Sequence, residues 1–333
     1  QAVVARYREP VLWRALWQLS TTLGLYAADW AAMAWAVRGG RWWLALALAV
    51  LGGGFVVRLF VIFHDCVHRS FFRSPWANRV CGFLCGVLCF TPYGQWRAEH
   101  LIHHATSGDL DRRGVGDLWT LTVEEYLASS RWRRFAYRLA RNPWILFGLA
   151  PLYVFVVQQR FPSRGLGPEA RRSVWLTDLG IALMAAALSV AVGPLPYLLL
   201  QGVVMLVAGS TGLWLFYVQH QFEEVYWARG EAWDRSEAAL LGSSYYRLPR
   251  LLQWFSANIG FHHIHHLSAR IPNYNLERCF RAHPELRQAP TLTLRTSLRT
   301  LAHRLWDESS RRMVGFRRLR DRGRGDEGKG SRK

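Results

Sequence analysis

The chain has 333 residues, of which 51% are hydrophobic and 14% aromatic, and its formal net charge at pH 7 is +19. Long apolar blocks separated by basic ones argue against a soluble globule and indicate an integral membrane protein. Nucleic acid is not expected as a partner, because the basic residues flank apolar segments or crowd the C-terminus, and no recognition motif accompanies them.

Four apolar segments are long enough to cross a hydrocarbon core of about 30 Å at about 1.5 Å per residue. They form two hairpins, with predicted spans at residues 15–37, 42–63, 174–192 and 196–218. Two shorter apolar segments, residues 80–93 and 144–157, favour re-entrant or interfacial helices. Arginines flank the second of these on both sides, so the positive-inside rule places both of its ends in the cytoplasm.

Two charged residues, Asp29 and Arg58, lie inside the predicted spans and must face protein or reach the interface. Antiparallel helices would not bring them to the same level, so no ion pair between them is predicted. The five cysteines form no C-x-x-C pair and are expected to be reduced packing residues in a cytoplasm-facing protein. The chain begins with Gln, and no cleavable signal peptide is predicted.

Histidines recur in motifs that follow the predicted spans or lie outside them. We name the first histidine box (His64, His68), the second (His100, His103, His104) and the third (His262, His265, His266), with His220 after the fourth span. In the second and third boxes the H-x-x-H-H spacing puts all three rings on one helix face. If four spans cross and the two short segments do not, all nine rings emerge on the cytoplasmic side and can share one site. His283 and His303 stand alone and are assigned no role.

A shared site of nine imidazoles indicates metal binding. Neutral imidazole binds Fe, Zn, Cu and Ni, and nine rings exceed the three or four protein ligands of one tetrahedral ion, so two ions are predicted. Zinc cannot change its oxidation state and would indicate hydrolysis, whereas iron would allow activation of dioxygen. A site at the ends of membrane helices can receive an acyl or isoprenoid chain, and oxidation of its unactivated C–H bonds favours iron.

Four further residues are predicted to support the ligands. Asn258, four residues before His262 and so one helical turn away, is predicted to hold a metal-bound water. Asp65 and Glu223 are expected to accept the second N–H of ligating histidines, and His263 to stand behind the ligands. The other nearby carboxylates, Asp117 among them, are expected to pair with surface arginines.

Five motifs follow one another along the chain: HDCVH (64–68), WRAEHLIHH (96–104), GDLDRRG (108–114), YVQH (217–220) and NIGFHHIHH (258–266). In this order they resemble the membrane fatty acid desaturases, in particular the bacterial acyl-lipid type related to the Δ12 (ω6) enzymes, over residues 10 to 290. The resemblance implies two non-haem irons ligated by the nine histidines. It also implies dioxygen as oxidant and a fatty acyl lipid as substrate, from which two hydrogens are removed to leave a cis double bond. Val67 departs from the pattern, since relatives often have Gly there.

Electrons are expected from an external carrier of the ferredoxin or cytochrome b5 type, because the chain has no Rossmann fingerprint, flavin motif or fused cytochrome domain. A basic cytoplasmic face favours docking of an acidic ferredoxin. Two alternatives remain open. One is a related di-iron hydroxylase, acetylenase or carotenoid ketolase. The other is a non-catalytic metal-binding membrane protein. That hypothesis predicts metal ligands along a pore.

The predicted fold is an all-α integral membrane protein of the bacterial inner membrane. Its two transmembrane hairpins are joined by re-entrant or interfacial helices and by a cytoplasmic helical cap that carries the histidine boxes. Residues 1–303 are predicted to form a single membrane domain. Residues 304–333 are rich in basic residues and glycine and are predicted to be a disordered tail near anionic lipid headgroups.

Overall fold

The computed structural model describes residues 2 to 319 and is mostly helical. Two antiparallel pairs of long helices form its centre, and contact between α2 and α9 joins the pairs. The α-helices are α1 (Leu12–Arg38), α2 (Trp42–Val67), α3 (Pro75–Leu88), α4 (Tyr93–Thr106), α5 (Val123–Ala128), α6 (Arg131–Ala140), α7 (Ala150–Leu152), α8 (Pro168–Val192), α9 (Pro194–His220), α10 (Arg235–Leu240), α11 (Arg250–Phe255), α12 (His262–Leu267), α13 (Asn273–Ala282) and α14 (Leu294–Ser297).

Three helices of the described chain, α2, α8 and α9, are long and apolar enough to cross a membrane. A fourth candidate is the pair Arg131–Ala140 and Ile145–Arg160, which is bent by 59° and is either a broken span or a re-entrant loop. Helix α1 has 27 residues but is not among the candidates, and polar side chains such as Gln18, Thr22 and Asp29 interrupt its apolar sequence. The structure therefore confirms a helical protein with three to four candidate spans.

Both hairpin turns are short. Residues 39–41 join α1 to α2, and Gly193 alone separates α8 from α9. Gly193 has a φ of +91°, a conformation that side chains other than glycine rarely adopt, and Pro194 then begins α9 with its ring at the first helical position. This turn holds α8 and α9 antiparallel, so the end of α9 that carries His220 lies at the same end of the hairpin as the start of α8.

The two short apolar segments form short or irregular helices. Helix α3 has 14 residues, and the Ser74 side chain caps it by accepting a hydrogen bond from the Ala77 amide at 3.2 Å. Residues 145–160 form two π-helical turns on either side of the three-residue α7, followed by a 3-10 turn. Pro151 lies between the π-turns, and its missing N–H removes a hydrogen bond from the regular α-helical pattern.

Both charged residues of the first hairpin are buried against protein, as predicted. Arg58 donates to the Thr22 hydroxyl at 3.0 Å and to the backbone oxygen of Trp254, and its guanidinium lies 4.1 Å from the centre of the Trp254 ring. Asp29 lies beside Gly52, where an added Cβ would come 2.8 Å from a carboxylate oxygen. The ion pairs of the described chain do not join Asp29 to Arg58, and all five cysteines are free and buried.

Short strands correct the all-α prediction. Two small sheets hold the polar part of the molecule together: a three-stranded sheet with the order β1–β4–β5 and a parallel pair of β2 and β3. The strands are β1 (Leu121–Thr122), β2 (Tyr245–Arg247), β3 (Thr291–Thr293), β4 (Leu305–Asp307) and β5 (Arg312–Val314). Strand β4 pairs parallel with β1 and antiparallel with β5.

The same sheet corrects the predicted start of the disordered tail. Residues 304–319 are ordered, and Leu305, Trp306 and Met313 are buried in the sheet. These three apolar side chains bury enough surface to order the segment. The prediction of disorder was based on the basic composition of the whole tail and did not take them into account. The remainder of the predicted tail, residues 320–333, lies outside the described residues.

Candidate metal centre

All nine predicted ligands meet in one cluster, where the ends of α2 and α9 approach α4 and α12. Helix α2 continues past its apolar part to Val67, so it carries His64 in its last turn and His68 at its C-terminus. Helix α9 ends on His220, α4 carries the second box, and the six-residue α12 carries the third. Eight of the nine rings are at most 9% exposed, and His104 is half-buried.

The cluster divides into two groups of potential ligand atoms. The first group joins His64, His68, His100, His104 and His265, whose ligand atoms all lie within 4.8 Å of one another. The second joins His103, His220 and His266 by the same criterion. His262 adjoins the second group, with its Nε2 atom 2.9 Å from His220 Nε2 and 3.1 Å from His266 Nε2.

Each H-x-x-H-H motif contributes to both groups. His100 and His104 belong to the first group, whereas His103 of the same helix belongs to the second. In the third box, the neighbours His265 and His266 are divided in the same way. The rings of His104 and His266 stack across the boundary, with their centroids 4.2 Å apart and an angle of 18° between the planes. The two groups are therefore parts of one centre.

The separations between ring nitrogens fit metal coordination. His104 Nε2 lies 3.1 Å from His100 Nε2 and 3.0 Å from His265 Nε2. Nitrogens bound to one ion by bonds of about 2.1 Å, at angles of about 90–109°, would be about 3.0–3.4 Å apart. The buried Nε2 atoms of His68 and His103 have no hydrogen-bond partner among the described residues, as expected of atoms that bind a metal.

Burial favours the neutral form of four rings in the second and third boxes. Desolvation lowers the pKa of His100, His104, His265 and His266 well below the usual value for histidine, and the neighbouring rings lower it further. A neutral ring keeps a nitrogen lone pair available, which is the form that binds a metal ion.

Two hydrogen bonds orient rings of the second group. His103 Nδ1 lies 2.5 Å from Asp117 Oδ1, and His220 Nδ1 lies 3.2 Å from the backbone oxygen of Gly242. Because both partners are acceptors, each Nδ1 carries the proton and each Nε2 presents its lone pair to the other histidines. Asp117 also accepts from the Gly114 amide at 3.2 Å, which positions its carboxylate.

Aromatic side chains enclose the cluster. The Trp96 ring stacks on His100 with centroids 4.1 Å apart, and Phe216 lies 5.3 Å from His103 and 5.2 Å from His220. Neither residue is among the predicted site residues. Both could have been predicted from the sequence, since each precedes a predicted ligand by four residues on the same helix and therefore lies one turn before it.

The helical argument for Asn258 is wrong. Helix α11 ends at Phe255 and α12 begins at His262, and Asn258 lies in the turn between them with a φ of +62°. Its side-chain oxygen accepts from Gln253 at 2.8 Å and its amide nitrogen donates to the backbone oxygen of Asn273 at 3.2 Å. The proposed metal-bound water at Asn258 stays a prediction.

His263 faces away from the cluster. Its buried ring packs against the rings of Tyr245 and Phe280, with centroids 6.2 Å and 5.9 Å away. This direction agrees with its predicted exclusion from the ligands, and its supporting role stays a prediction.

The two carboxylates predicted to support the ligands lie in different surroundings. Asp65 is buried beside the first box, with an oxygen 3.7 Å from His64 Nδ1, and it accepts from the Asn273 amide at 2.7 Å and from its side chain at 2.8 Å. The Glu223 carboxylate is 55% exposed and lies 3.7 Å from Arg312, because the chain after α9 turns towards β5. Asp117, which the sequence assigned to a surface ion pair, makes the short contact with a ligand instead.

Comparisons with known proteins agree with this geometry. The family model described as fatty acid desaturase matches residues 41–297. A fatty acid desaturase of Bacillus subtilis is 48% identical over 317 residues, which are 95% of this chain and 90% of the relative. An sn-1 oleoyl-lipid 12-desaturase of Picosynechococcus is 28% identical, over 72% of this chain and 69% of the relative. An sn-1 acyl-lipid omega-3 desaturase (ferredoxin) of Synechocystis is 26% identical, over 84% and 78%.

Proposed function

This chain belongs to the fatty acid desaturase family, and on that premise we propose that it uses dioxygen to introduce a cis double bond into the acyl chain of a membrane lipid. In the overall reaction a –CH2–CH2– unit, one dioxygen molecule, two electrons and two protons give –CH=CH– and two water molecules. The gathering of nine imidazoles, eight of them buried, into one centre is the observation that carries this proposal.

The residues present fit two metal ions. The five histidines of the first group would hold one ion, and His103, His220, His262 and His266 would hold the other. Bound iron supplies the capacity to activate dioxygen, which zinc lacks because its oxidation state does not change. The proposed enzyme differs from a non-catalytic metal-binding protein in where its metal ligands should lie. A metal-binding pore protein needs ligands along its spans, whereas the histidines of this chain gather at helix ends.

The chain's own groups prepare the centre for this chemistry. Asp117 and the Gly242 carbonyl hold protons on the outer nitrogens of His103 and His220, so that the inner nitrogens face the ions. Trp96 packs on His100, and Phe216 packs on His103 and His220, so both side chains would limit the access of water and thereby suppress side reactions.

We propose four membrane crossings, formed by α1, α2, α8 and α9. Helix α1 packs antiparallel against α2, and at about 1.5 Å per residue its 27 residues reach about 40 Å, enough for a span. Exposed tryptophans near both of its ends, Trp13 and Trp17 at one and Trp35 at the other, fit the two membrane interfaces.

The bent segment 145–160 is then re-entrant. The first box at the end of α2 and His220 at the end of α9 belong to one centre, so the chain between α2 and α8 must return to the side from which it started. A single crossing by the bent segment would separate them. Arginines on both sides of the segment support a cytoplasmic location for this side.

We propose an external electron carrier of the ferredoxin or cytochrome b5 type. Two relatives, from Synechocystis and Nostoc, are named as ferredoxin-dependent omega-3 desaturases. The net charge of +19 favours encounter with an acidic carrier, and the rate of reduction by ferredoxin is expected to fall as salt rises.

Expression in a host that lacks such enzymes tests the proposal. Gas chromatography with mass spectrometry of the fatty acids is expected to show a new cis-unsaturated species, and its double-bond position gives the regioselectivity. Hydroxylated or acetylenic products would identify a different oxidation on the same scaffold. A host profile without any new product would remove the proposed oxidation.

A further inference from the structure

A second polar site lies outside the histidine cluster, in a cleft of about 560 Å³ between the N-terminal segment and the loop after α2. Arginines dominate its rim, and among the described residues Glu9 is the one carboxylate that lines it; the arginines are Arg8, Arg69, Arg73 and Arg270. Phe72 and Pro10 supply apolar surface beside them. The lining thus combines a concentration of positive charge with a small apolar wall.

Most of this positive charge is not neutralised. Arg73 lies 3.6 Å from Glu9, but the two side chains are 77% and 74% exposed, so the pair is weak. Among the described residues, no ion pair is formed by Arg69 or Arg270, and both are exposed. Guanidinium groups that share a cleft repel one another, and an anion between them would remove that repulsion.

The cleft is built from segments that are distant in sequence and tied together. The Tyr274 hydroxyl accepts from the Val11 amide at 3.0 Å and donates to the backbone oxygen of Phe71 at 3.1 Å. Arg8 Nε donates to the Ser268 hydroxyl at 2.8 Å, which connects the N-terminal segment to the loop that holds Arg270. These bonds fix Arg8 and the backbone segments next to Arg69 and Arg270 before any ligand arrives, so binding requires little reordering of the backbone.

The position of the cleft agrees with the level of lipid headgroups. Arg8 lies four residues before α1 begins, and Arg69 lies two residues after α2 ends. Because α1 and α2 are antiparallel, these two points are at the same end of the first hairpin. That end also carries His64 and His68. Arg69 directly follows the ligand His68, and Arg270 lies four residues after His266.

The geometry points to a binding site for the phosphodiester of a glycerophospholipid. Arg69 and Arg270 bind the phosphate, and Arg8 lies beside it. Binding at this site presents one acyl chain of the same lipid to the histidine cluster. The planar guanidinium binds phosphate oxygens through two parallel N–H donors, and a lipid phosphate lies at the membrane surface where this cleft is found. The presentation of the chain for oxidation rests on the proposed function, whereas binding of the phosphate does not.

A binding experiment tests the site without turnover. The full chain in detergent micelles would be titrated with phosphatidylglycerol carrying an NBD fluorophore, with energy transfer from tryptophan as the signal. We expect the Kd to rise at least tenfold in the double variant Arg69→Gln/Arg270→Gln. It should not change in Arg235→Gln/Arg278→Gln, which removes two exposed arginines that do not line the cleft.

Further binding measurements distinguish the phosphate of a lipid headgroup from free phosphate. A glucosyl diacylglycerol with the same acyl chains and fluorophore is expected to bind the wild type and both double variants equally. Inorganic phosphate is expected to displace labelled phosphatidylglycerol only at millimolar concentration. An Arg270→Lys variant keeps the charge but loses the planar fork, and should weaken binding several-fold. Thermal melting of each variant confirms that it is folded.

Three results would overturn the inference. Equal phosphatidylglycerol affinity in the Arg69→Gln/Arg270→Gln variant would show that the cleft does not bind the lipid. An equal loss of affinity for the glucosyl lipid in the same variant would show that the site does not recognise the phosphate. Displacement of labelled phosphatidylglycerol by micromolar phosphate would assign the site to free phosphate instead of a lipid headgroup. If phosphatidylglycerol binding depends on the two arginines but cells form no oxidised fatty acid, the site stands and the proposed function fails.

Discussion

The carboxylate of Asp117 lies 2.5 Å from Nδ1 of His103, fourteen residues earlier in the chain. Only 7% of the Asp117 side chain and 2% of the His103 side chain are exposed, so water weakens this contact little. The opposite nitrogen of the ring, Nε2, is buried and has no partner among the described residues. Asp117 therefore sets which nitrogen of His103 is free to bind an ion.

Replacement of Asp117 by Asn tests this relationship. An amide is a weaker acceptor and can donate to Nδ1 in the opposite orientation, which favours the wrong tautomer of His103. Loss of such a supporting carboxylate typically lowers metal affinity or activity by about 10–100-fold. Metal analysis of the purified protein and the rate of fatty acid oxidation would be compared with those of Glu231→Gln, an exposed control. Wild-type metal content and rate in the Asp117 variant would contradict the assignment.

His265→Ala should lower the bound iron and abolish product formation, because His265 Nε2 lies 3.0 Å from His104 Nε2 inside the first group. His283→Gln is the matched control, since His283 pairs with Glu285 and packs on Tyr7, outside both groups of ligands. Inductively coupled plasma mass spectrometry gives the iron content per chain. Two irons per chain in the His265 variant, with undiminished product, would refute the proposed ligand set.

Chelation separates iron from zinc. Removal of the metal should abolish fatty acid oxidation, and Fe²⁺ with an external reductant should restore it while Zn²⁺ should not, because only iron changes its oxidation state. Oxygen consumption coupled to product formation is the measurement. Recovery with Zn²⁺ alone would exclude an oxidative role for the centre.

Two glycine substitutions test the packing of the first hairpin. In Gly52→Ala the new Cβ would come 2.8 Å from an Asp29 oxygen and 3.3 Å from Val204, and overpacking of this kind typically costs about 1–3 kcal/mol. Gly24→Ala is the control on α1, where the new Cβ would meet no described atom within 4 Å apart from its chain neighbours and its own helix backbone. Thermal melting in detergent should show a lower Tm for the first variant and an unchanged or slightly higher Tm for the second. Equal melting temperatures would show that α1 and α2 separate easily.

Two truncations test the ordered part of the C-terminal segment. Removal of residues 304–333 deletes β4 and β5 with buried Leu305, Trp306 and Met313, and loss of a buried tryptophan alone typically costs about 3–5 kcal/mol. Removal of residues 320–333 leaves the sheet complete, so stability should be retained. Limited proteolysis and Tm values compare the two. Equal stability of both truncated chains would show that the sheet contributes little.

Local patterns in the sequence predicted much of the architecture. Three of the four predicted spans, 42–63, 174–192 and 196–218, lie within the candidate membrane helices, because hydropathy adds up along a continuous segment. The placement of charges was also predictable, since Asp29 and Arg58 had to avoid lipid. Asn258 was misplaced because helical spacing was extended across a turn, and the backbone of that turn depends on contacts with Gln253 and Asn273.

The amino-acid sequence by itself determined which side chains can bind metal and that their segments follow apolar helices, since residue type and short-range spacing are properties of the chain alone. Only the tertiary structure decided how the rings are shared between two groups, because the division of His103 from His104 and of His265 from His266 depends on how α2, α4, α9 and α12 pack. The tertiary structure also determines that Asp117, and not Glu223, contacts the predicted ligand His103. Such choices follow from contacts between segments that are distant in sequence, and local patterns do not encode them.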